Sequence, residues 1–108
     1  MSTYNITINK HSDFARSFQI KEDDVVLDLT DHSFAAQVRK HPTDSDATTF
    51  TVTVTDAAQG TLQIKLTDTQ TAAMSAGTQY WDIVMTDSNN LKTRLLEGKA
   101  FVKDGVTR

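Results

Sequence analysis

Polarity along the chain switches at nearly every step. Tyr4, Ile6 and Ile8 alternate with Thr3, Asn5, Thr7 and Asn9, the period of two expected of a strand with one face on a core. Phe14, Phe18 and Ile20 share one parity of a second segment. Arg16 falls on the same parity, which predicts that its aliphatic stem covers a sheet edge or that the strand is bulged there. Lys21-Glu22-Asp23-Asp24 reads as an acidic turn, followed by a short apolar run from Val25 to Leu29. Beyond Thr30-Asp31, Phe34, Ala36 and Val38 alternate with Ala35, Gln37 and Arg39, and His41 to Asp46, with the only proline, reads as a polar loop.

Two strands of matching pattern follow. Phe50, Val52 and Val54 stand against three threonines, and Leu62, Ile64 and Leu66 against Thr61, Gln63 and Lys65. Between them, Asp56-Ala57-Ala58-Gln59-Gly60 reads as a hairpin connection. Thr67 and Gln70 have the spacing of a helix capping box, with Thr71-Ala72-Ala73-Met74 continuing for a turn or two and Gly77 as the stop. Tyr80 to Met85 is apolar on both parities, which predicts a central strand with both faces largely covered. Asp87-Ser88-Asn89-Asn90 reads as a tight turn. The last strands run from Lys92 to Val102, where Gly98 predicts a bulge or a close backbone approach.

These segments predict an all-β fold: a two-sheet antiparallel, immunoglobulin-like sandwich of seven or eight strands with one short helix. The 108 residues are expected to form a single domain, 1–108, large enough for one core without staples. Hydrophobic residues make up only 38% of the chain, so the core should be thin and the strands half-exposed, a setting that suits the many threonines.

Charge and chemistry narrow the function. A net charge of -3 with scattered basic residues gives no electrostatic reason to bind nucleic acid, and no apolar run approaches a membrane span or a signal peptide. With no cysteine there is no disulfide framework and no thiol nucleophile. His11, His32 and His41 lack paired-ligand spacing, and Asp23-Asp24 and Asp44-Ser45-Asp46 lack the glycine and terminal Glu of a calcium loop. Ser, His and Asp occur without a nucleophile elbow, and the four glycines stand too far apart to cradle a phosphate. The sequence thus predicts no catalytic, cofactor-binding or metal site, and no cofactor. Tyr80 and Trp81 could stack on a sugar or base, but neighbours on a strand point to opposite faces, so one of them is expected in the core. Asp82 and Glu97, within apolar patterns, are expected to form a structural ion pair with Arg94 or Arg39.

Several stretches, in order, resemble small immunoglobulin-like domains of tailed-phage virion proteins, including the N-terminal domain of baseplate upper proteins. They are Phe14-Ala15-Arg16-Ser17-Phe18 before an acidic turn, Leu29-Thr30-Asp31 followed by Phe34 to Lys40, Leu66 to Met74, Gly77 through Trp81-Asp82-Ile83, and Leu95-Leu96-Glu97-Gly98-Lys99-Ala100-Phe101-Val102 ending in Val106-Thr107-Arg108. The turn before Leu29, which contains glycine in that family, is Asp23-Asp24 here. The resemblance implies a non-enzymatic virion structural protein, assembled in the host cytoplasm and present in multiple copies. Its site would be the tail, baseplate or fibre-attachment region, where it would act as an adaptor held by other virion proteins. Strand addition through Met1–Asn9 or Lys103–Arg108 is the expected mode of attachment. The alternatives are a capsid decoration protein on the head shell and a carbohydrate-binding module using Tyr80, Trp81 or Tyr4.

Overall fold

The structure, a computed structural model, describes residues 2–22, 24–43 and 47–104. The acidic pairs at Asp23 and Asp44-Ser45-Asp46, Met1 and the segment 105–108 lie wholly or partly outside the described residues. The period-two segments form β1 (Ser2–Thr3), β2 (Ile6–Asn9), β3 (Phe14–Gln19), β4 (Lys21–Glu22), β5 (Val25–Val26), β6 (Ser33–Arg39), β7 (Thr48–Thr49), β8 (Thr51–Asp56) and β9 (Thr61–Leu66). Helix α1 (Asp68–Ala72), β10 (Gly77–Thr86) and β11 (Lys92–Lys103) complete the chain. Three of these breaks fall within continuous runs of chain, β1 with β2, β3 with β4 and β7 with β8, which leaves eight strands among the described residues.

The strands make a two-sheet sandwich. The larger sheet is ordered β1-β11-β10-β6-β7, with β2 also on β11; the smaller is β3-β9-β8; β4 and β5 form a short hairpin. Pairing is antiparallel except at the N-terminus, where β1 and β2 run parallel to β11 in one register, Ser2 opposite Leu96 and Ile6 opposite Ala100. The chain crosses from β2 into the other sheet at β3, and only the last strand returns beside the first. Ser2–Asn9 is therefore part of the large sheet and not a free arm.

Alternation places Ile6, Ile8, Leu62, Ile64 and Ile83 between the sheets, each at most 2% exposed, and burial of such a side chain contributes about 1.5–3 kcal/mol. A chain of rings runs through this core: Tyr4 meets Phe18 edge-on at 5.1 Å, Phe18 stacks on Trp81 at 5.6 Å, and Trp81 meets Phe50 at 6.3 Å. Arg16 closes the seam between the sheets. Its guanidinium lies 5.4 Å from the centre of the Tyr4 ring, and β3 keeps an unshifted register on β9, so the stem covers the edge and there is no bulge.

At Gly98 the backbone approaches closely, as the sequence predicted. A Cβ on Gly98 would lie 1.9 Å from the Tyr4 carbonyl oxygen. That oxygen turns out of the ladder and accepts from the Trp81 indole N–H at 2.8 Å, and the Asn5 side chain takes its place, accepting from Lys99 N at 3.0 Å. The bulge itself sits elsewhere, at Leu95, where the β10–β11 register shifts.

Helix α1 begins at the expected capping box, with Thr67 and Gln70 bonding reciprocally. Asp13 accepts from Asp68 N at 2.8 Å, and the Thr71 hydroxyl donates to Ser12 O at 2.8 Å, which fixes the helix on the β2–β3 turn. Gly77 does not stop it. The helix ends near Ala73, and Gly77, at φ +125°, opens β10.

Candidate interaction face

The outer side of the large sheet is a grid set by register. Inward, β10 presents Gln79, Trp81, Ile83 and Met85, all buried; outward, it presents Tyr80, Asp82, Val84 and Thr86. The expectation that both faces are covered holds for one side only. Among the described residues no second layer lies over the outer side, and Val84 and Thr86 are half-buried by their neighbours on the same sheet.

Tyr80 stands between Arg39 on β6 and Lys99 on β11. In the next row, Asp82 stands between Gln37 and Glu97, and Glu97 is also beside Thr3. Two carboxylates directly opposite repel. The bulge at Leu95 resolves this: it puts Arg94 on the same face as Glu97, opposite Val84, and the guanidinium reaches Asp82 at 3.3 Å and Glu97 at 3.5 Å. The structural ion pair expected from the sequence is a bridge through Arg94. Arg39 instead donates to Gln37 Oε1 at 2.8 Å.

Together these side chains, with Phe101 and Asn5, line an open concavity of about 570 Å³, within the range of small-ligand and docking sites. Tyr80 and Phe101 are each 37% exposed there, with Arg39, Arg94 and Lys99 as cations and Asp82 and Glu97 as anions. Tyrosine, phenylalanine and arginine are enriched where proteins dock. The arrangement offers two apolar rings, hydrogen-bond donors and acceptors on a rigid frame.

Of the aromatic candidates, Trp81 is 3% exposed and belongs to the core, Tyr80 faces outward, and Tyr4 lies at the seam. The histidines are dispersed: His11 lies in the turn between β2 and β3, His32 before β6 with Nδ1 2.6 Å from Thr30 O, and His41 beyond β6. Among the described residues no three His, Asp or Glu side chains gather as a metal site would require. Sequence reasoning missed Phe101 and Lys99 as neighbours of Tyr80. Only the pairing of β10 with β11 brings them together.

The chain belongs to the family of LtfC-like β-sandwich domains, whose model matches residues 2–103. Its fold is similar to that of the N-terminal domain of phage TP901-1 ORF48, with a TM-score of 0.60 at 15% sequence identity, over 95% of this chain and 99% of that one. The resemblance to phage immunoglobulin-like domains read from the sequence thus has a counterpart in three dimensions. No curated protein matches the sequence.

Proposed function

We propose that this domain is a non-enzymatic structural part of a tailed-phage virion, an adaptor in the tail, baseplate or fibre-attachment region that docks on a neighbouring virion protein. The observation that carries the reading is the fold match to a phage protein's N-terminal domain, in which almost the whole of each chain takes part. The outer face of the large sheet supplies the docking surface. Tyr80 and Phe101 are its apolar anchors, and the ring of paired charges around them sets orientation more than affinity. Both carboxylates lining the concavity are tied to Arg94, an arrangement suited to recognition rather than proton transfer.

Electron microscopy of the virion tests the location: density on the tail is expected, and density on the head shell would replace this reading with capsid decoration. For the face, the double variant Tyr80→Ala, Phe101→Ala is expected to fold and to lose its place in the particle. A variant that still assembles would assign docking to another surface.

A second reading has one observation in its favour. The half-exposed Tyr80 ring lies among mixed donors and acceptors, as a platform for a neutral glycan would. Glycan-array binding that disappears in Tyr80→Ala would support it. Trp81→Ala is the wrong probe, because Trp81 is in the core.

A further inference from the structure

Alternation fixes which backbone groups of β8 face outward. Ile20 N donates to Gly60 O at 2.7 Å, so on β9 the residues Leu62, Ile64 and Leu66 bond toward β3, and Thr61, Gln63 and Lys65 bond toward β8. Thr51 and Thr53, opposite Lys65 and Gln63, turn their N–H and C=O groups to β9, while Phe50, Val52 and Val54 turn theirs away. Phe50 agrees with this parity, for its N–H reaches outward to Ala36 O on β6 at 2.9 Å. Val52 and Val54 therefore present backbone donors and acceptors at the end of the small sheet, where no further strand of the described residues pairs.

The side chains of this edge match themselves. Thr51 and Thr53 are exposed on the outer side, Thr55 is exposed at the bulge that ends the regular ladder, and Val52 packs against the core. Val54 points the same way as Val52 yet is 36% exposed. We propose that a second copy of this chain adds its β8 to this edge, antiparallel, about a two-fold axis through Thr53. Thr-Val-Thr-Val-Thr reads the same in both directions, so this register sets Val52 against the partner's Val54, Thr51 against the partner's Thr55, and Thr53 against its own equivalent. The outward groups of Val52 and Val54 then meet as hydrogen-bonded pairs, giving four backbone bonds across the axis, and Val54 gains apolar cover.

Residues 51–55 carry no charge and no proline, two of the usual protections of an edge strand; a third, a bulge, is confined to Thr55, where the β8–β9 register shifts, and leaves Val52–Val54 regular. The edges at β2 and β3 are poorer templates. On β2, Ile6 and Ile8 are already 2% and 0% exposed, so an added strand would cover nothing apolar, and the β3 seam is closed by Arg16 over Tyr4. The contact is small, so it would be weak between free molecules and effective where copies are held close together in an assembly.

Charge swapping at Thr53 tests this register. In sedimentation velocity the wild type is expected to show a concentration-dependent monomer–dimer equilibrium. Thr53→Glu and Thr53→Lys each place like charges across the axis and should weaken it roughly fivefold or more, and an equimolar mixture of the two should restore it. Both substitutions face solvent, so the fold is retained. As an independent measurement, Thr53→Cys, in a chain with no cysteine of its own, should oxidise to a covalent dimer, because non-hydrogen-bonded partners bring Cβ atoms close; Thr51→Cys should not. A wild type that stays monomeric at about 1 mM, where even weak contacts populate, overturns the proposal. So do single charge variants that associate as strongly as wild type, or a mixture no stronger than either alone.

Discussion

Gly98 is where one missing side chain decides the most. The Tyr4 carbonyl occupies the space a Cβ would take and is held there by the Trp81 indole. Gly98→Ala should therefore push the N-terminal strand off β11 and leave a buried donor unpaired. The expected loss is about 3 kcal/mol or more in urea unfolding, with a displaced Trp81 indole N–H resonance. Asp28 gives a second residue-scale prediction. Its carboxylate accepts from the Thr30 hydroxyl at 2.6 Å and the Thr30 N–H at 2.9 Å, which holds it below the ordinary carboxylate value, the hydroxyl acting most. The folded form binds the proton less readily than the unfolded one, so the contribution is complete above about pH 4 and is lost as pH falls through the depressed value. An NMR titration of Asp28 should have a low midpoint that rises in Thr30→Val. At this scale the sequence was informative where a single rule sufficed. Gly98, the cap at Thr67 and the two options for Arg16 were legible, but the indole-to-carbonyl bond was not, because Tyr4 and Trp81 are 77 positions apart.

Among the elements, α1 is too short to hold itself together and depends on its ends. Thr67→Ala removes the cap and should cost about 1 kcal/mol, read as a lower urea midpoint with an unchanged slope. The strands were visible as alternation, and their partners were not. Tyr80 to Met85 looked covered on both sides because polarity cannot tell an apolar residue on an open face from one under a second layer. The bulge at Leu95 was equally hidden: it lies in an unremarkable Arg94-Leu95-Leu96 run, and its effect is to place Arg94 between two carboxylates contributed by different strands. The face around Tyr80 follows from that register.

For the whole molecule, composition and periodicity gave the sandwich, because a strand oily on one side must bury that side against another sheet. The parallel place of the first strand was not legible. Local rules favour hairpins between neighbours, whereas Ser2 pairs with Leu96 across almost the full chain. Such pairings are distant in sequence, and they are expected to form late in refolding. Pulse-labelled hydrogen exchange should show β10–β11 amides protected before those of Ile6 and Ile8.

The same parallel pairing decides how the domain bears load. Because β1 and β2 run alongside β11 in one direction, a pull between residues 2 and 103 slides the two strands along each other, straining every rung of that ladder together instead of opening it from one end. With the Tyr4 carbonyl lodged over Gly98 as a catch, the first strand would have to shear free before anything else could unravel. A single-molecule experiment should find the fold much stiffer when stretched along this axis than when peeled at the turn joining β10 to β11.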